Sequence, residues 1–184
     1  MLALSLGQLT CGGTDVGKQK VNGNTQVATS GSPATTPSVP ARSMLPQSIG
    51  GYELEQTVDL KEIEQKIPKA IDGAGSIYYS ANTGGTVQYL VVYFPSSKDA
   101  YDELQAALQR YRLVNKDVKL AVIKNERGEQ VGQQLLMRDE MVEAVHWTNG
   151  SLYCIAQSET KSALDFAKKL PYYYAPETEL RSTQ

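Results

Sequence analysis

His146, Cys154 and a thin scatter of carboxylates are the residues of this chain whose types could do acid–base or covalent chemistry. His146 is the only histidine, beside Trp147 and just before Asn149-Gly150, and an imidazole can act as a general base near neutral pH. Cys154 alternates with Leu152 and Ala156, the pattern of a small hydrophobe on one face of a strand rather than of an activated nucleophile. A hairpin could bring the two near one another as a hydrolytic dyad, but their spacing supplies neither an orienting carboxylate nor an oxyanion site. Asp139 and Glu140 border strands and Glu143 lies within one; no rule of spacing places any two of them across a substrate, so scattered surface charge is the favoured reading. Two cysteines and one histidine make no recognisable zinc site, and calcium-loop and dinucleotide patterns are lacking. No catalytic residue, metal or cofactor is expected.

The element best able to organise the chain is Val87 to Tyr111. Val87-Gln88-Tyr89-Leu90-Val91-Val92-Tyr93-Phe94 is rich in β-branched and aromatic residues and reads as a largely buried strand, stopped by Pro95. The period then changes. Tyr101, Leu104, Ala107, Leu108 and Tyr111 share one side of a helix whose N-cap is Ser96, with Asp99 completing the capping box. Upstream, Tyr52–Val58 reads as an alternating strand, followed by a short helix from Asp59 through Ile63 and Ile67 that Pro68 ends. Gly73-Ala74-Gly75 reads as a turn before a short strand at Ile77–Tyr79. Asn82-Thr83-Gly84-Gly85 reads as a hairpin rather than a phosphate loop, because no Lys-Ser/Thr ending and no helix follow it.

Downstream, strands at Val118–Ile123, Gln130–Met137, Met141–Trp147 and Leu152–Gln157 are joined by short connections, which demand an antiparallel meander. Asn149-Gly150 is the clearest of the turns. A last helix is expected from Ser158 to near Leu170, before Pro171. The fold class is therefore α+β, an antiparallel sheet with a C-terminal-half meander and two or three helices packed on one face. Tyr172-Tyr173-Tyr174 leaves the last helix; packing across the sheet edge is favoured over partner binding. Trp147, Tyr172, Tyr173 and Tyr174 are the candidate interaction residues.

Composition divides the chain. In residues 12–48 about half the positions are Gly, Ser, Thr or Pro, too little apolar surface to repay the entropy of ordering them. The expected organisation is a residual signal segment at 1–10, a tether at 11–48, one globular domain at 49–174 and a polar tail at 175–184. The net charge is −2 with no concentrated basic surface, which opposes nucleic-acid binding. A disulfide between Cys11 and Cys154 would need the tether to fold back and is not expected.

The apolar run Met1-Leu2-Ala3-Leu4-Ser5-Leu6, then Cys11-Gly12-Gly13 and the polar spacer, resembles the end of a bacterial lipoprotein signal. Gln8-Leu9-Thr10 departs from the Leu, small residue, Gly or Ala order of that class, and a basic start is lacking. The resemblance covers this terminus only. It implies lipid attachment at Cys11 and an extracytoplasmic, membrane-anchored place in the cell envelope, the alternative being cytoplasmic. The leading functional expectation is a tethered, non-enzymatic interaction or accessory domain with a protein partner at or near the membrane. The alternatives are a hydrolytic enzyme using His146 and Cys154, and a carrier holding a small apolar ligand between sheet and helices.

Overall fold

The computed structural model describes residues 39–58, 67–114, 117–125, 127–173 and 181–182, all within the unit Pro33–Gln184. Their framework is a nine-stranded sheet in which every neighbouring pair is antiparallel, in the order β1-β2-β3-β4-β8-β7-β6-β5-β9. The strands are β1 (Ser48–Ile49), β2 (Tyr52–Val58), β3 (Asp72–Ser80), β4 (Gly85–Tyr93), β5 (Asp117–Lys124), β6 (Gln130–Arg138), β7 (Glu143–Asn149), β8 (Leu152–Ser158) and β9 (Arg181–Ser182). A 3-10 helix, Ala41–Met44, precedes them; α1 (Ser97–Leu113) joins β4 to β5, and α2 (Ala163–Lys169) follows β8.

The centre of the sheet follows from the run at 87–94. Val87, Val91 and Val92 are fully buried, and β4 holds β3 on one side and β8 on the other. Pro95 ends the strand and Ser96 caps α1 as expected, its Oγ accepting from the Asp99 amide at 3.1 Å; the Asp99 carboxylate accepts from that same hydroxyl at 2.6 Å rather than from the Ser96 amide that a full capping box would use. The helix buries Ala100, Leu104, Ala107 and Leu108, while Tyr101, expected on that side, is 39% exposed. Ala100 takes its place in the stripe because the contact surface is offset by one residue. α1 carries the chain to the far part of the sheet, and β5 to β8 return strand by strand as the expected meander.

The two helices do not share a face, contrary to the one-face expectation. α1 packs with Val92, Leu135, Met137, Ala144, Tyr153 and Ile155, whereas Phe166 and Ala167 of α2 pack with Tyr78, Tyr89, Val145 and Trp147 on the other side. The reason lies in β7 and β8. Glu143 to Thr148 and Leu152 to Ala156 are buried in succession, so both faces of the central strands must be covered. On the α2 face Phe166 meets Tyr52, Tyr78 and Tyr89 at ring separations of 4.8–5.5 Å, filling the space between layers with aromatic rings.

Several boundaries also move. Gly73-Ala74-Gly75 belongs to β3, which starts at Asp72 rather than after a turn. β7 starts at Glu143; Met141 and Val142 lie in the turn that Asp139 closes, its carboxylate accepting from both their amides. β8 extends through Ser158, so α2 is a short helix and not one that begins there. At the other end, Ala41 and Leu45, which composition placed in the tether, are buried in the core, and the packed chain reaches back at least to residue 41. The expected helix from Asp59, together with Ile63, lies outside the described residues; Ile67 is buried beside the α1 core. Gly84 (φ 66°) and Gly150 (φ 58°) sit in the β3–β4 and β7–β8 turns, where the left-handed backbone favours glycine.

Candidate functional site

The β7–β8 register decides the chemistry available to His146 and Cys154. Trp147 pairs with Cys154 and His146 with Ile155. Paired residues point to the same face, so His146 faces α1 and Cys154 faces α2. The sheet itself separates them, and no dyad forms.

His146 is 3% exposed and is held between two phenols: Nδ1 lies 2.6 Å from the Tyr153 hydroxyl and Nε2 lies 2.7 Å from the Tyr111 hydroxyl. A neutral imidazole, with one N–H and one lone pair, satisfies both by donating to one phenol and accepting from the other. Burial first, and the nearby Arg110 charge second, push the His146 pKa down to about 3. The group is thereby kept neutral, with both nitrogens occupied. Tyr111 and Tyr153 rise above the ordinary phenol range, chiefly through burial, so the trio stays uncharged. Its arrangement is that of a satisfied polar core joining α1 to the sheet.

On the opposite face Cys154 is fully buried, and burial pushes its thiol up to about 12 against the opposing hydrogen bond from Tyr89. A thiol so placed is a poor nucleophile. Tyr172 donates to the Met44 carbonyl at 2.9 Å, and its oxygen lies 2.5 Å from the Tyr89 hydroxyl, which is also 3.5 Å from Cys154 Sγ. Tyr173 donates to the side-chain carbonyl of buried Gln134, and its ring meets Trp147 edge-on. Trp147 is fully buried, and its Nε1 has no hydrogen-bond partner among the described residues. Of the four candidate interaction residues, Trp147 and Tyr173 are therefore core, Tyr172 is half-buried over that core, and Tyr174 lies outside the described residues, as does Cys11.

Glu143 is the carboxylate most misjudged from spacing. It is 1% exposed, not a surface charge. Oε2 accepts from Arg138 Nε at 2.6 Å and Oε1 from the Leu164 amide at 2.9 Å. Ser162 makes no side-chain cap for α2, and Glu143 supplies an acceptor to that helix terminus from across the core. Its role is structural.

Sequence reasoning also passed over Arg42. The 3-10 helix and the adjoining ends of β2 and β3 enclose an open cleft of about 420 Å³, with Arg42 and Leu45 on one wall, Thr57 and Val58 on another and residues 72–75 along β3. A run of Asp-Gly-Ala-Gly with nothing larger than a methyl group at 73–75 was the available signal, because glycine within a strand often marks close approach by another group. Arg42 reaches only Thr57 Oγ1, at 3.4 Å, and has no ion-pair partner among the described residues. Both Asp72 oxygens are engaged by backbone amides, of Ala41 at 2.7 Å and Gly73 at 2.8 Å.

Among the described residues no group of three His, Cys, Asp or Glu side chains is placed to hold a metal ion, and no helix is long and apolar enough to cross a membrane. Fold and site together define an α+β domain, with a two-sided sheet core and a cleft at its margin. Compared with known proteins, the chain matches no family model and no curated protein.

Proposed function

We propose that this chain is a non-enzymatic interaction or accessory domain, held on the outward side of a bacterial cell envelope through lipid on Cys11. The observation that carries the non-enzymatic reading is the separation of His146 and Cys154 onto opposite faces, each with its polar atoms engaged and its charged form disfavoured. The hydrolytic alternative loses the only base–nucleophile pair that spacing offered it. The carrier alternative is weakened by the aromatic rings that occupy the space between sheet and α2. The anchoring half of the proposal rests on the N-terminal resemblance: several acyl chains on one cysteine would hold a soluble domain firmly, and the low-complexity segment would let it search for a partner nearby.

Intact-mass and N-terminal analysis of protein from its native host tests the anchor, with an acylated chain beginning at Cys11 as the expected result. A mature chain that keeps Met1 and an unmodified Cys11 would sink it. Crosslinking on intact cells, followed by capture through this chain, tests the binding half. One reproducible protein neighbour, lost when the domain is unfolded by a core substitution, is expected; no neighbour from a folded, abundant domain would count decisively against it.

A further inference from the structure

We infer that the cleft beneath the 3-10 helix is a binding site for a carboxylate carried on a short aliphatic body, with Arg42 as its recognition residue. A guanidinium offers five N–H groups in a planar fork that matches a carboxylate two-to-two, and among the described residues one contact, at the long limit of a hydrogen bond, engages it. Asp72 does not fill the fork: no hydrogen bond or ion pair joins it to Arg42, and its oxygens accept from the Ala41 and Gly73 amides instead.

The wall that bears Arg42 is fixed before any ligand arrives. Besides the Ala41 amide on Asp72, Tyr93 donates to Met44 Sδ at 2.9 Å, Tyr172 to the Met44 carbonyl at 2.9 Å and Tyr78 to the Pro46 carbonyl at 2.8 Å. Ala41 and Leu45 anchor the same segment in the core. Rigid walls lower the ordering cost of binding. The space is of the size that small ligands occupy, and no large side chain from residues 73–75 fills it.

Charge and surface then narrow the ligand. The Asp72 carboxylate shares the cleft, so a dianion such as phosphate would meet repulsion that a monoanion meets only in part. Leu45, Val58 and Ala74 give the remainder of the ligand an apolar surface, and the Thr57 hydroxyl offers one further polar contact beside the fork. A free short-chain acid and the C-terminal end of a peptide share this chemistry. The inference rests on the binding-domain reading above but not on the anchor, and cell-surface crosslinking would still report a partner if the cleft proved empty.

The test is a titration of the isotope-labelled full chain, followed through the amide signals of Thr57, Ala74 and Gly75. The probes are N-acetyl-alanyl-alanine, the same dipeptide as its C-terminal amide, butyrate, and inorganic phosphate, each to roughly 10 mM, far enough to detect millimolar binding. Saturable shifts with the free dipeptide acid, absent with the amide and at least about tenfold weaker in Arg42→Gln, are expected, as for loss of one charge-assisted hydrogen bond. Arg42→Lys should recover only part of the affinity, since it restores charge without the fork. Butyrate binding as tightly as the dipeptide would assign a free acid, and tighter dipeptide binding a peptide end; either supports the site. Silence with both carboxylates, shifts indifferent to Arg42→Gln or to amidation, or a response to phosphate alone would overturn it. Because Arg42 is exposed, an unchanged unfolding curve for Arg42→Gln shows that a lost response is not a lost fold.

Discussion

Acidification from pH 8 to pH 4.5 should destabilise this domain chiefly through His146. Its pKa is lowered in the folded state, from 6.5 to about 3, so the unfolded chain binds the proton more readily throughout the interval between. Stability is complete above about pH 6.5 and falls as the pH drops through that value, continuing until the folded site itself protonates near 3. At pH 4.5 the unfolded histidine is almost fully charged and the folded one almost fully neutral. Linkage over that span gives a loss of about 3 kcal/mol at 1.36 kcal/mol per pH unit, or roughly 6–12 °C in Tm for a domain of this size. The geometry explains the sign: an imidazolium would be a donor at both nitrogens, with desolvated charge in an apolar layer and Arg110 nearby. Asp99 and Asp165 have carboxyl groups held below 3.8 and contribute their losses at lower pH, which leaves this window largely to the chain's single histidine. Urea midpoints at half-unit pH intervals, in wild type and His146→Phe, measure it. The variant is less stable at neutral pH because the Tyr111 and Tyr153 phenols lose a partner, but its curve should be nearly flat from 6.5 to 4.5, so the gap to wild type narrows as the pH falls. A flat wild-type curve, or an equal slope in the variant, would refute the reasoning.

Other consequences follow from single contacts. Glu143→Ala should cost about 2–4 kcal/mol by chemical denaturation, since it empties a buried site and strips the acceptor from the Leu164 amide; a loss under 1 kcal/mol would mean that water replaces the carboxylate freely. Gly132→Ala should cost at least about 2 kcal/mol, because the added Cβ would lie 1.9 Å from the Thr148 carbonyl oxygen and one of two paired strands must move; a wild-type midpoint would contradict the contact. Deleting residues 40–47 should lower stability by roughly 3–5 kcal/mol through loss of the buried Leu45 and the hydrogen bonds at Met44 and Pro46, an effect read by thermal unfolding of the truncated chain. In a Cys11→Ser chain, Cys154 should resist a thiol reagent at pH 8 until denaturant is added, whereas rapid native labelling would deny its burial.

What could be read beforehand was local. The β4–α1 unit announced itself because a β-branched run, a proline stop and a Ser96–Asp99 cap all lie within a few residues and agree. The start of α2 did not. Ser158 was the expected start, yet the Ser158, Thr160 and Ser162 hydroxyls bond to one another at 2.9–3.0 Å, and the acceptor that serves the helix comes from Glu143, 21 residues before Leu164. Non-local capping leaves no trace in a window of sequence. Similarly, β7 carries Glu143, His146 and Thr148 in its buried run, so periodicity could not announce that both faces were covered. Arg42 was invisible for the opposite reason: its surroundings have the composition of a linker, and only Ala41 and Leu45, buried by contacts from distant strands, reveal that they pack.

The separation of His146 from Cys154, however, was within reach of the sequence. A hairpin closed by two loop residues pairs odd-numbered positions with even-numbered ones, because partners move in opposite directions from the turn. In this hairpin Asn149 pairs with Leu152 across Gly150-Ser151, and Trp147 pairs with Cys154. Two even-numbered residues on its opposite strands must therefore face opposite sides of the sheet, whichever two-residue loop Asn149-Gly150 helps to form. Recognising the turn gave proximity along the chain; using its register would have removed the dyad. Parity, not distance, is the stronger constraint on chemistry placed across a tight β-turn, and it leaves the functional question with the surface, where Arg42 meets only Thr57 among the described residues.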